Sequence, residues 1–364
     1  MSYYTPFSSA GWHQWATERQ YSDYKFMELA RSADFLVKNV LEIKPGENVV
    51  LYCDTGSDMR VVNATAAAVH TVGAIPVIVR WNTQKDIDLP MPKAVRGAIM
   101  NSDVCIELSA CGYVHSPQWY EAREKGIAMV CYVGMNADMM VRTLDPELYY
   151  KIVEFGEAYR NVLNKAKLTY RITSPAGTDL TVKAMTPEQR AERDRARGIV
   201  PGKKQRGGML VGQGGFAHVL GSENGTIALE GAIWPPAEVQ KIREPIKMKV
   251  KGGRISDITG GFEANILKNW FAHFNDPDVY KILHISTGFN PGVKRATGDI
   301  VEDERVFGCV EIGLGNSPKP CHTDGIILTP SIWVDDTLIE KEGVYVEPTL
   351  KKLAKGMGMQ LWAD

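Results

Sequence analysis

Two histidines and one aspartate in the second half of the chain are the residues best suited to chemistry. The stretch Pro320-Cys321-His322-Thr323-Asp324-Gly325 runs into the apolar segment Ile326-Ile327-Leu328. In an extended strand, side chains two apart share a face. His322 and Asp324 would then project together while Cys321 and Thr323 point away. An imidazole beside a carboxylate is half of a metal site; a hydrogen-bonded His-Asp pair at a strand edge has the same pattern. Upstream, Lys281-Ile282-Leu283-His284-Ile285-Ser286 sets His284 inside an apolar run. A buried histidine satisfied by a backbone group would look alike. Taken together, two imidazoles and one carboxylate match the facial triad of non-haem Fe(II) enzymes, which leaves coordination positions open for substrate and dioxygen. Zn(II) or Mn(II) could use the same ligands.

These side chains need elements to carry them. The first part of the chain alternates helix and strand. Helical apolar spacing runs from about Ser22 to Leu41, then a Pro45-Gly46 turn leads to a strand at Val49–Cys53. Further helices are expected at Asp58–Val72 and Pro117–Gly126, and strands at Ile75–Val79, Val104–Leu108 and Ile127–Val133. Such alternation predicts an α/β fold, a parallel sheet with helices on both faces. A long helix from about Pro146 to Lys167 closes the region. Beyond it, strand-like stretches are separated by glycine-rich turns: Leu168–Ile172, Asp179–Val182, Thr226–Leu229 and Ile246–Val250. That texture predicts an α+β metal-binding domain rich in antiparallel strands. The boundary falls near residue 166, giving domains of 1–165 and 166–364.

Composition narrows the partners. The 364 residues carry a formal net charge of −1, which offers no basic field for nucleic acid or an anionic membrane. No run of about 18 apolar residues appears, so no membrane span is expected. The opening MSYYTPFSSAGWHQW lacks the basic and apolar regions of a signal peptide. Six scattered cysteines without a CxxC pair fit reduced thiols in a cytoplasmic protein. The basic stretch Arg190–Arg206 also holds Glu192 and Asp194; it reads as a solvated loop or subunit contact, or else as an anion-facing lid. The glycine-rich Gly212–Phe216 does not link a strand to a helix in a βαβ unit and reads as a turn rather than a phosphate loop.

Four segments together resemble the 2,5-dihydroxypyridine 5,6-dioxygenases, enzymes that open a hydroxylated pyridine ring. They are Gly260-Gly261-Phe262-Glu263-Ala264, the run Phe274 to Tyr280, His284-Ile285-Ser286-Thr287-Gly288-Phe289-Asn290-Pro291, and Pro320 to Asp324. That family is itself similar to thermophilic metallo-aminopeptidases of the aminopeptidase T type. The resemblance covers most of the chain and is densest from about residue 250 to 325. It implies Fe(II) ligation by His284, His322 and Asp324, and makes His115, in Val114-His115-Ser116-Pro117, the acid/base residue. It further implies a small aromatic substrate, dioxygen as co-substrate, an extradiol-like ring opening to N-formylmaleamate with substrate-derived electrons, and a homo-oligomer. From the residues alone, His115 follows the third strand of a parallel sheet, where α/β proteins place ligands; an inconsequential loop histidine would sit there equally well.

The departures bear on mechanism. The aminopeptidases hold two metals with Glu, Glu, His, Tyr, His and Asp. Here Glu263 matches the first glutamate, His284 stands at the second, Glu311 replaces the first histidine, and the tyrosine has no match. The pattern favours one metal and leaves Glu263 as a second catalytic candidate, a partner of the site or an acceptor for substrate; its bland reading is an exposed turn residue. The segment Phe307–Asn316 and the residues following Asp324 differ from the dioxygenases and flank the expected site, so the ring is 2,5-dihydroxypyridine or a relative. Two other classes stay open: a metallohydrolase of peptides or amides, and a metal-stabilised binding protein with a closed ligand set including Cys321 or Cys309.

Overall fold

A computed structural model of the chain describes residues 25–83, 91–112, 114, 116–196, 206–236, 242–316 and 321–359. It divides into two units, Met1–Tyr149 with Gln205–Leu210, and Tyr150–Lys204 with Val211–Asp364.

The first unit is built on a parallel sheet. Strands β1 (Asn48–Asp54), β2 (Ile75–Trp81), β3 (Val104–Glu107) and β4 (Ala128–Cys131) run in the order β2-β1-β3-β4, and Gly208–Met209 returns to pair with β4. Every residue of β3 is buried, as are the last six of β1. Strands covered on both faces read as continuous apolar runs, which is why the sequence located them. Helix α1 (Phe26–Phe35) precedes the strands, α2 (Met59–Thr71), α3 (Lys93–Met100) and α4 (Pro117–Glu124) lie between them in sequence, and α5 (Ala137–Thr143) follows β4. Asp54 ends β1, where the strand order reverses. It accepts from the backbone of Gly56 at 2.9 Å, Ala110 at 2.9 Å and Cys111 at 3.2 Å, tying the loop after β1 to the loop after β3.

Helix α6 (Pro146–Leu163) crosses the division at Tyr149/Tyr150, upstream of the change expected near residue 166. Its later turns belong to the second unit's core because Phe155 and Tyr159 pack on Phe289 and Tyr345.

The second unit contains two antiparallel sheets. Its strands are β5 (Thr169–Thr173), β6 (Asp179–Lys183), β8 (Gln213–Gly215), β9 (Asn224–Leu229), β10 (Ile233–Trp234), β11 (Ile246–Lys251), β12 (Arg254–Thr259), β13 (Ile282–Gly288), β14 (Cys309–Gly315), β15 (His322–Ile327), β16 (Ser331–Val334), β17 (Thr337–Lys341) and β18 (Val344–Tyr345); β7 is the Gly208–Met209 return strand. Eight strands follow the order β12-β11-β9-β6-β5-β16-β17-β18, and five the order β10-β15-β14-β13-β8. Helices α7 (Pro187–Ala196), α8 (Phe262–His273), α9 (Ile300–Asp303) and α10 (Pro348–Gly356) complete it. The mixed α/β class and the antiparallel second half agree with the sequence.

Two local expectations change. The first part of the basic stretch is helix α7 rather than a loop, with Arg193 paired to Asp194, while Arg206 pairs with Glu47 at 2.7 Å; residues 197–205 lie outside the described residues. The glycine-rich stretch turns only at Gly212 (φ +101°), then extends as β8 against β13. Its glycines suit that course because a Cβ on Gly214 would sit 3.1 Å from the Phe289 ring.

Candidate metal centre

The five-stranded sheet has one apolar face and one polar face, set by alternation along each strand. Ile285, Val310, Ile312, Leu314 and Ile327 fill the apolar face and are fully buried. Each such side chain contributes roughly 1.5–3 kcal/mol on burial. That packing pins the register, and the register decides which residues share the other face. Asp324 stands opposite Gly313, and Gly313 opposite His284. One step along, Glu311 stands opposite Ser286. His322 lies two positions before Asp324, opposite Gly315.

His284 and Asp324 lie on strands separated by β14, roughly 10 Å apart at the backbone given the strand spacing. Yet His284 Nε2 is 3.3 Å from Asp324 Oδ1. Gly313 makes this possible. A Cβ there would lie 2.1 Å from His284 Cε1 and 2.5 Å from Nε2, so the imidazole occupies the space a side chain would take. His322 Nε2 lies 3.2 Å from Asp324 Oδ2, and the two imidazole rings face each other at 5.4 Å. Donor atoms of His284, His322 and Asp324 all fall within 4.8 Å of one another. Ligands bound at about 2.1 Å sit about 3.0 Å apart at right angles and about 3.4 Å apart at tetrahedral angles. The 3.3 and 3.2 Å approaches, made to the two different oxygens of Asp324, fall within that range. His284 keeps 38% of its side chain open, so the cluster is reachable from one side.

Glu311 is wholly buried beside this triad. Its Oε1 lies 3.0 Å from His284 Nε2, and its Oε2 accepts from Ser286 Oγ at 2.5 Å. Gln213 Nε2 donates to Ser286 Oγ at 2.8 Å. Residue types alone did not single out Gln213 or Ser286; the β8–β13 pairing brings them to the site.

Charge at the centre is unbalanced toward the negative. Burial disfavours a charged His284, but Glu311 and Asp324 outweigh it and hold its pKa well above the usual value. Burial likewise opposes ionised Asp324, and His322 and His284 overcome it, taking its pKa well below the carboxylate range. Burial raises Glu311, His284 pulls it down, and Asp324 adds to the rise. Glu304 is pushed up to about 8, first by burial, against the pull of Arg305 and with the charges of Asp324 and Glu311 adding. A donor set that draws a proton onto its histidine is one a divalent cation would stabilise in the proton's place.

The family profile described as "NicX: 2,5-dihydroxypyridine 5,6-dioxygenase" matches residues 36–347. The chain belongs to the 2,5-dihydroxypyridine 5,6-dioxygenase family. It is 33% identical over 144 residues to a 2,5-dihydroxypyridine 5,6-dioxygenase of Pseudomonas putida KT2440. That alignment covers 35% of this chain and 41% of the relative, less than half of its length. The solved structure of the 2,5-dihydroxypyridine dioxygenase from Pseudomonas putida KT2440 superposes with a TM-score of 0.69 at 20% identity, covering 90% of this chain and 99% of that one. Wild-type AmpT from Thermus thermophilus gives 0.62 at 13% identity, covering 89% and 100%. These two likenesses establish the fold.

His115 lies outside the described residues. Glu263 begins helix α8, is 6% exposed and has its carboxylate 3.8 Å from Arg243. It is neither exposed nor in a turn, and it is not one of the three donors that converge. Cys321 and Cys309 are buried and are not among those donors.

Proposed function

We propose that this protein is an Fe(II)-dependent, extradiol-like dioxygenase that opens a hydroxylated N-heteroaromatic ring, such as 2,5-dihydroxypyridine, to N-formylmaleamate. The observation that carries the reading is the convergence of His284, His322 and Asp324 at ligand spacing with one side open. These three would hold the metal, and Fe(II) bound there would supply the redox chemistry that lets an electron-rich ring react with dioxygen. Both oxygen atoms enter the product, the ring bond between positions 5 and 6 breaks, and the substrate supplies the electrons. No external reductant is then required.

The chain's own residues would orient and deprotonate. Glu311, braced by Ser286 and Gln213, would face the ion beside His284 Nε2, the nitrogen that also approaches Asp324. The family resemblance assigns His115 to accept a proton from a ring hydroxyl, a task suited to an imidazole near neutral pH. Glu263 is a hydrogen-bond acceptor for substrate in the same proposal. Six free, buried cysteines favour a reducing, cytoplasmic setting. No described helix is long and apolar enough to cross a membrane. A homo-oligomeric assembly belongs to the same reading.

The test is anaerobic reconstitution with Fe(II), followed by oxygen uptake with 2,5-dihydroxypyridine and related rings. Uptake equal to the ring consumed, with about one iron per chain, supports the proposal. Full activity with Zn(II), or no uptake with any hydroxylated ring, overturns it. Cleavage of aminoacyl substrates with two bound metals would favour a hydrolase instead.

A further inference from the structure

The row of cross-strand neighbours that carries the metal ligands continues one strand further. Trp234 on β10 stands directly opposite Asp324 on β15, so the row reads Trp234, Asp324, Gly313, His284. Directly opposed residues of antiparallel strands project to the same face with Cβ atoms about 4.5–5.5 Å apart. The indole of Trp234 therefore rises from the face that bears the triad, next to Asp324. Backbone pairing of Ile233 with Gly325 and the hydrogen bond from Thr323 Oγ1 to the Pro235 carbonyl fix the strand on either side.

Trp234 is half-buried, yet its indole N–H donates to nothing and its ring meets no aromatic or cationic partner among the described residues. Tryptophans this close to a packed sheet usually satisfy the N–H and bury the ring against other side chains. The other described faces of aromatic packing in this unit are densely paired, as with Phe155, Tyr159, Phe289 and Tyr345. An indole with no hydrogen-bond or ring partner among the described residues, beside a charged centre, offers a flat apolar surface and one hydrogen-bond donor, the two features that recognise a planar ring carrying oxygen substituents.

We propose that Trp234 is the aromatic recognition residue for the substrate ring held at the His284-His322-Asp324 centre. This rests on the ring-opening reading above and goes further by naming the surface that selects a planar ring. The indole face stacks on the ring, and Nε1–H is placed to donate to a ring oxygen. Trp234 touches substrate and leaves the metal to the triad.

The experiment uses Fe(II)-loaded protein without oxygen, and compares wild type, Trp234→Phe and Trp234→Ala for binding of 2,5-dihydroxypyridine by calorimetry, with metal content per chain measured in each. Loss of one stacking surface weakens binding by about 10- to 100-fold. Trp234→Ala is expected to show that loss with its iron retained, and Trp234→Phe to recover most of the affinity. In air, the defect of Trp234→Ala should fall on KM more than on kcat. Unchanged affinity in iron-replete Trp234→Ala overturns the assignment. So does loss of iron in both variants, which would make Trp234 a support for Asp324. A wild type that binds the ring without consuming oxygen defeats the dioxygenase reading, while the comparison of variants still decides Trp234. A wild type that binds no planar ring overturns both.

Discussion

The parallel sheet of the first unit and the five-stranded antiparallel sheet of the second put polar residues in different places. In the first, β1 and β3 are buried on both faces, so polar groups gather where strands end, as with Asp54 at the tip of β1. In the second, alternation sets polar side chains mid-strand on one face, although every residue of β14 is buried as well. His284, Glu311 and Asp324 sit within strands whose opposite face is Ile285, Ile312 and Ile327. A sheet that is apolar on both faces offers chemistry only at its edges and ends. A sheet with one polar face can hold a rigid ligand set in mid-strand, positioned by register.

The largest expected effect breaks that face directly. Asp324→Ala removes the carboxylate lying between the two imidazoles and should abolish metal retention, measured as metal per chain after dialysis, while circular dichroism stays unchanged. Gly313→Ala is the next test, because it touches no ligand atom by substitution. Its Cβ would overlap the His284 ring at 2.1 Å, so the ring must move. Metal affinity should fall by about 10- to 100-fold, the range found when ligand orientation is disturbed. Retained affinity would show that His284 reaches Asp324 by another path.

Stability against pH separates the units next. Asp58 caps α2, and although burial opposes its charge, Arg60 and the backbone of Ala137 and Arg60 lower its pKa. A lowered folded pKa contributes stability above the unfolded value, and that contribution is lost as pH falls through the folded one. Asp58→Ala should cost about 1–2 kcal/mol at neutral pH and less in acid. Glu340 in β17 has the opposite sign. It is fully buried with no hydrogen-bond partner for either oxygen among the described residues, and burial raises its pKa well above the usual range. Its proton is held in the folded state at pH values where the unfolded chain has released it, so its cost grows as pH rises above about 4.3. Glu340→Gln should therefore raise Tm more at pH 8 than at pH 5. A flat difference between those two pH values would mean the carboxyl is paired.

The smallest effect is a glycine chosen for contrast with Gly313. Gly97 lies inside helix α3 with nothing within 4 Å of a Cβ. Gly97→Ala should stabilise by about 1 kcal/mol in urea unfolding, since alanine loses less freedom on entering a helix. Destabilisation there would show that close packing is not peculiar to the metal-bearing sheet.

What could be read from the chain alone follows from local physics. Buried parallel strands are unbroken apolar runs, so β1, β3 and β4 were visible as such. Alternation alone pairs His322 with Asp324, because a strand's period of two is a property of its backbone. The tertiary structure had to decide the rest. Which strands become neighbours is a nonlocal choice, so the approach of His284 to Asp324 across Gly313, the bracing of Glu311 by Ser286 and Gln213, and the place of Trp234 beside Asp324 were all invisible in sequence order. Gln213 was also hidden by its glycines, whose composition signals a turn while their contacts demand a strand. Composition and periodicity report what each segment can bury; only the sheet's register says which side chains then meet.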